Sequence, residues 1–69
     1  MKLGLYTHWK ENNFYRVVML SERDGDREPL VTYVPLYGEG IPTTRTQKEF
    51  NEVIERDGYK GLRFNFIRE

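Results

Sequence analysis

The sequence predicts a mainly β domain, a small antiparallel barrel with one short helical segment. Three observations carry this expectation. Runs rich in β-branched and aromatic residues occupy 14–20, 30–37 and 62–67, and such runs form strands. Charged or glycine-containing turns separate them. A chain of 69 residues has little material to cover the open edges of a sheet, so closure into a barrel is the expected solution.

The stretch "NNFYRVVMLSE" contains the clearest strand, Phe14 to Leu20. Alternation places Tyr15, Val17 and Met19 on one face and Phe14, Arg16, Val18 and Leu20 on the other. Neither face is cleanly polar, which points to a central strand or a closed sheet. "ERDGDRE" follows with Gly25 at its centre and reads as a wet, charged turn. "PLVTYVPLY" is the return strand of a hairpin. Pro35 lacks a ladder donor and belongs at an edge or a bulge, the corner that a small barrel needs. "YGEGIPTT" is a connection in which Gly38 and Gly40 are free to take positive φ. The helical candidate is "TRTQKEFNEVIERDGYK". Thr46 and Glu49 have capping-box spacing, Phe50, Val53 and Ile54 make an apolar stripe, and Gly58 is a stop. Val53 and Ile54 are equally at home in a strand, so one or two turns suffice. "GLRFNFIRE" sets Leu62, Phe64 and Phe66 against Arg63, Asn65 and Ile67 as a final half-buried strand.

Length allows one domain, residues 1–69. There is no cysteine, so no disulfide, thiolate or Cys-based zinc site is available, and one histidine excludes a His-rich metal site. No cofactor is expected. Lys plus Arg and Asp plus Glu number 11 each, which argues against a general nucleic-acid sleeve and for weak nucleic-acid affinity at most. No apolar run approaches the roughly 18 residues of a membrane span. The opening "MKLGLYTHWK" has no secretory pattern. A cytoplasmic protein without membrane partners is the expectation.

Catalysis finds little support. Ser21 is the only serine and sits beside the charged turn, and nothing in its spacing joins it to His8 and an acid. Asp24 and Asp26 flank Gly25 in a wet loop, which does not build an acid/base pair. The candidate ligand residues are His8, Tyr33, Tyr37 and Arg45. His8 is either a structural histidine tied to a backbone carbonyl or a donor at a rim. Trp9 is more often packing than platform. Buried tyrosines need hydroxyl partners. Arg45 and Arg63 lie in segments that pack, so each needs a carboxylate, a carbonyl or an aromatic face. The bland reading is fastening, and the other is a small cationic pocket. "GEG" lacks the lysine and helix of a phosphate loop.

The residues together resemble the DUF1653 family, small bacterial proteins of uncharacterised function. Gly4, Tyr6, His8 and Lys10 match its first element, and Tyr15 and Val17 the second. "TYVPLYG" matches the third through Tyr33, Leu36, Tyr37 and Gly38, Arg45 and Phe50 match the fourth, and Arg63 and Phe64 the last. The family is similar to SH3-like barrels, so the resemblance implies that fold. It implies no activity. Thr7 stands where the family commonly has Arg, Glu11 where it has Gly, and "GIPTT" where "Gly-Leu-Trp-Val" is common. If that Trp and Arg form a ligand surface, this chain has altered it.

The expectation for function is a binding module that recognises a protein, peptide, small ligand or nucleic-acid component through a loop rim of His8, Tyr33, Tyr37 and Arg45. Tyr6, Tyr15, Phe50, Arg63 and Phe64 support it structurally. The alternative is a structural or self-association domain with no ligand site.

Overall fold

Short strands dominate because β-branched and aromatic residues recur between turn formers. In the computed structural model, which describes residues 1–69, they are β1 (Gly4–His8), β2 (Phe14–Glu22), β3 (Pro29–Pro35), β4 (Thr43–Thr46), β5 (Val53–Arg56), β6 (Tyr59–Leu62) and β7 (Phe64–Arg68). One helical turn, α1 (Gln47–Phe50), separates β4 from β5. Five strands form an antiparallel sheet in the order β4-β3-β2-β1-β7, and β5 and β6 form a separate ladder. No helix is long and apolar enough to cross a membrane.

The sheet does not close, which corrects the expected SH3-like barrel. β4 and β7 lie at opposite ends of the sheet and do not pair. The chain between them turns through α1 and the β5–β6 hairpin, and Phe50 of α1 covers the inner face that closure would have covered. Both open edges are short. β4 carries "TTRT", polar or charged residues of the kind that discourage edge pairing, whereas β7 carries Asn65 and Arg68 among Phe64, Phe66 and Ile67.

β2 lies between β1 and β3, a central position. Its register with β3 shifts between Val17 and Met19. Tyr15 and Val17 are buried, but past this bulge Leu20 rather than Met19 stands opposite buried Val31. The extra residue turns Met19 to the other face, where alternation alone would not put it. Pro35 is not at the bulge. It ends β3, beyond the last β3–β4 pair at Tyr33 and Thr43. The Leu36 N–H still reaches the Phe14 carbonyl at 2.9 Å, and the Gly40 N–H then reaches Tyr37 at 3.3 Å. Gly38 and Gly40 both have φ near 60°, which lets the chain turn back into β4.

α1 forms where the capping box predicts. Thr46 Oγ1 accepts from the Glu49 N–H at 3.0 Å, and a Glu49 carboxylate oxygen accepts from the Thr46 N–H at 3.2 Å. The helix stops at Phe50 because Val53 and Ile54 join β5, as their branching permits. The expected strand at 62–67 divides at Arg63: Leu62 closes β6 and Phe64 opens β7.

Tyr6, Tyr15, Val17, Val31, Tyr33, Phe50 and Phe64 form the core. The Phe50 and Phe64 rings stack at 4.3 Å, and Tyr6 stands edge-on to Phe50 at 5.2 Å. The Tyr6 hydroxyl donates to the Lys2 carbonyl at 2.7 Å. Burial, set partly against that bond, pushes its pKa up.

Arg63 ties three segments together. Its N–H donates to the Glu52 carbonyl at 3.0 Å, its carbonyl accepts from the Trp9 N–H at 3.0 Å, and its guanidinium meets Glu52 at 3.1 Å. Its side chain is 18% exposed. The Nε–H is buried without a partner, which reduces what the ion pair contributes. Arg63→Ala is expected to cost about 1–2 kcal/mol through lost packing and pairing, and Arg68→Ala less than about 0.5 kcal/mol. Urea midpoints of the two variants check this. Equal midpoints would remove any structural role for the Arg63 side chain.

Candidate functional site

The end of the sheet at which β1 finishes and β2 begins holds a cleft of about 310 Å³. β1 supplies His8, the loop after it Glu11, and β2 Tyr15. β3 supplies Tyr33 and Pro35, the following turn Tyr37, β4 Thr43 and Arg45, and β7 Phe64. All four candidate ligand residues, His8, Tyr33, Tyr37 and Arg45, therefore line one cavity, although they lie on separate segments. Tyr15 and Glu11 line it too, and neither was among them. Tyr15 reads in sequence as an inward strand residue, and Glu11 as a loop charge.

The turn after Pro35 brings Tyr37 over Tyr15. Their rings meet edge-on at 5.5 Å and their hydroxyls hydrogen-bond at 2.8 Å. Burial, with this hydrogen bond as the next cause, pushes the Tyr15 pKa up, so its phenol stays neutral. Tyr37 is exposed and forms the rim. Tyr33 lies beneath, buried, and its hydroxyl accepts from Arg45 Nε at 3.0 Å. Arg45 is half-buried and has no carboxylate partner, whereas Arg63 pairs with Glu52.

His8 is at the end of β1, and its ring packs edge-on against Phe64 at 5.2 Å. Its Nδ1 accepts from the Lys10 N–H at 3.3 Å. The carbonyl bond expected of a structural histidine is thus replaced by the reverse arrangement, in which the ring is the acceptor. Burial lowers its pKa, Glu11 opposes this, and Arg63, Arg45 and Lys10 lower it further. His8 is expected to titrate below 6.5 in a proton NMR pH series. Because the folded pKa lies under the unfolded one, the unfolded chain binds the proton first. Stability is then full above the unfolded value and falls as pH drops toward the folded one. A midpoint at or above 6.5 would contradict this environment.

Thr7 and His8 alternate across β1, so the position where the family commonly has Arg faces away from the cleft. Its hydroxyl donates to the Asn13 carbonyl at 3.1 Å and fastens the β1–β2 connection. Trp9 stacks on Tyr59 at 5.1 Å. In the charged turn, hydrogen bonds from Arg23 push the Asp26 carboxyl down to about 2, the wrong direction for a general base near neutral pH. A larger groove of about 470 Å³ runs past Leu3, Gly4, Arg16 and Val18 beside Glu69. It converges no comparable set of hydroxyl and ring donors.

A family model for DUF1653, described as proteins of unknown function, matches residues 4–66. The chain belongs to the DUF1653 family. It is similar to the crystal structure of a DUF1653 protein from Bordetella bronchiseptica, with 26% identity and a TM-score of 0.84 over 97% of this chain and 87% of that one. None of the curated proteins compared with it matches. The residues shared with the DUF1653 pattern include His8, Tyr15, Tyr33, Tyr37, Arg45 and Phe64, six of those that line the cleft.

Proposed function

We propose that this domain is a binding module whose ligand enters the cleft between His8, Tyr37 and Arg45. The observation that carries the reading is the convergence of seven polar or charged side chains, from β1, the loop after it, β2, β3, the turn after it and β4, on one open cavity. Four of these side chains pair within the cavity, Tyr15 with Tyr37 and Tyr33 with Arg45. Here Arg45 keeps its terminal nitrogens free of protein partners. The cavity is near the lower end of the roughly 300–1,000 Å³ typical of ligand sites, so it suits a small molecule or one terminal group of a larger partner.

Amide chemical-shift mapping against metabolites, peptides and oligonucleotides tests this. Saturable shifts at His8, Tyr37 and Arg45 are expected, with weak and salt-sensitive effects from DNA or RNA because the chain has no net positive charge. Shifts confined to residues 22–28 would move the site. No shift with any ligand would favour a structural domain.

A further inference from the structure

The geometry points to a small, singly charged carboxylate as the ligand of the cleft, held end-on by the terminal nitrogens of Arg45. This rests on the binding reading above and deepens it. Tyr15 and Tyr37 bring two hydroxyl protons and spend one on the bond between them, at 2.8 Å. One proton is left over. The Tyr33 hydroxyl accepts from Arg45 Nε at 3.0 Å, and its own proton finds no acceptor. His8 accepts at Nδ1 from the Lys10 N–H, so its proton resides on Nε2. Arg45 has one of its five N–H groups engaged and four at its terminal nitrogens free. Seven protons are thus unspent, four of them on Arg45, whereas the acceptors of the lining are the Glu11 carboxylate and the phenol oxygens, so the group that pairs with the Arg45 fork is an acceptor.

Charge narrows the class. Arg45 is the one cationic side chain lining the cleft, and Glu11 lines the same cavity. Glu11 accepts from Asn13 Nδ2 at 3.0 Å, an exposed contact that does not neutralise it. A phosphate dianion would meet one guanidinium and one repelling carboxylate. With Glu11 beside Arg45 the lining carries no net charge, so a monoanion seated against the guanidinium leaves less charge unpaired than a dianion does. The planar fork of Nη1 and Nη2 also matches the two oxygens of a carboxylate. Tyr33 fixes the guanidinium through Nε and so orients that fork before the ligand arrives. Tyr37, Pro35 and Phe64 supply the smaller, apolar part of a lining that is otherwise polar. A carboxylate with a small apolar body fits both parts.

The test is an NMR titration of the full chain with benzoate, with benzamide as its uncharged isostere, with inorganic phosphate, and with one peptide carrying a free or amidated C-terminus. Benzoate is expected to move the His8, Tyr37 and Arg45 amides saturably and to bind at least about tenfold more tightly than benzamide or phosphate. Arg45→Gln is expected to weaken benzoate at least about tenfold, Arg45→Lys and Tyr37→Phe by less, and Arg16→Gln, on the other face of the sheet, not at all. Amide dispersion confirms that each variant is folded. Tighter binding of the free-acid peptide than of benzoate would make a chain terminus the source of the carboxylate. Equal binding of benzamide, tighter binding of phosphate, or unchanged benzoate affinity in folded Arg45→Gln and Arg45→Lys would overturn the carboxylate assignment while leaving the cleft a binding site. Absence of shifts with every probe, including the wider ligand panel, would overturn both.

Discussion

Phe50→Ala is expected to leave much of the protein unfolded at 25 °C. Phe50 is fully buried although it sits on a single helical turn. Its ring stacks on Phe64 at 4.3 Å and contacts Tyr6 and Tyr33 at 5.2 and 5.4 Å. Those rings come from β1, β3 and β7, so truncation opens a cavity where the sheet and α1 meet. Removal of a buried phenyl ring costs about 3–5 kcal/mol. Domains of this size are stable by only about 3–10 kcal/mol. Urea unfolding followed by circular dichroism measures the loss, and Phe50→Leu, which refills most of the space, should lose far less. A midpoint for Phe50→Ala within error of the parent would show that α1 does not cover the inner face.

Phe64→Ala should cost a similar amount, about 3–5 kcal/mol, and should also damage the cleft. Phe64 opens β7, stacks on Phe50, and supports His8, Tyr15 and Tyr33 at 5.2, 5.3 and 5.7 Å. It joins the core to the site. The milder Phe64→Leu should stay folded yet change the His8 titration, because the ring that packs edge-on against the imidazole is gone. A double-mutant cycle between Phe50 and Phe64 should give a coupling of about 0.5–1.5 kcal/mol beyond independent losses. Additive losses, together with an unaltered His8 midpoint in Phe64→Leu, would separate the core from the cleft.

Local chemistry made much of the molecule legible. The hairpin of β2 and β3 follows from its β-branched runs and the Gly25 turn, and α1 from the Thr46–Glu49 pair. Shared faces were harder to read. Met19 has the right parity to join Tyr15 and Val17, but the bulge between Val17 and Met19 turns it outward, and no residue type announces a bulge. β1 and β4 were hidden because "YTH" looks like loop and Thr44 to Thr46 fell inside the helical candidate, and both become strands only through their neighbours. The barrel failed on a global choice. Covering the inner face with Phe50 and leaving two short open edges is as good a solution as closure, and local propensity does not distinguish them. The cleft was half legible. His8, Tyr33, Tyr37 and Arg45 are the kinds of residue that need partners when packed. That Tyr37 would pair with Tyr15, and that Arg45 would find a hydroxyl instead of a carboxylate, depends on the turn through Gly38 and Gly40.

A high-resolution crystal structure of the ligand-free protein decides whether the cleft is open with the Arg45 fork unspent. It should show Arg45 Nε on the Tyr33 hydroxyl, the Tyr15 and Tyr37 hydroxyls bonded to each other, and the terminal nitrogens of Arg45 bound only by water or a small anion. A structure in which Arg45 has swung into an ion pair with Glu11 or another protein carboxylate, closing the space between it and Tyr37, would contradict an open cleft and reduce the residues around it to a fastened corner of the sheet.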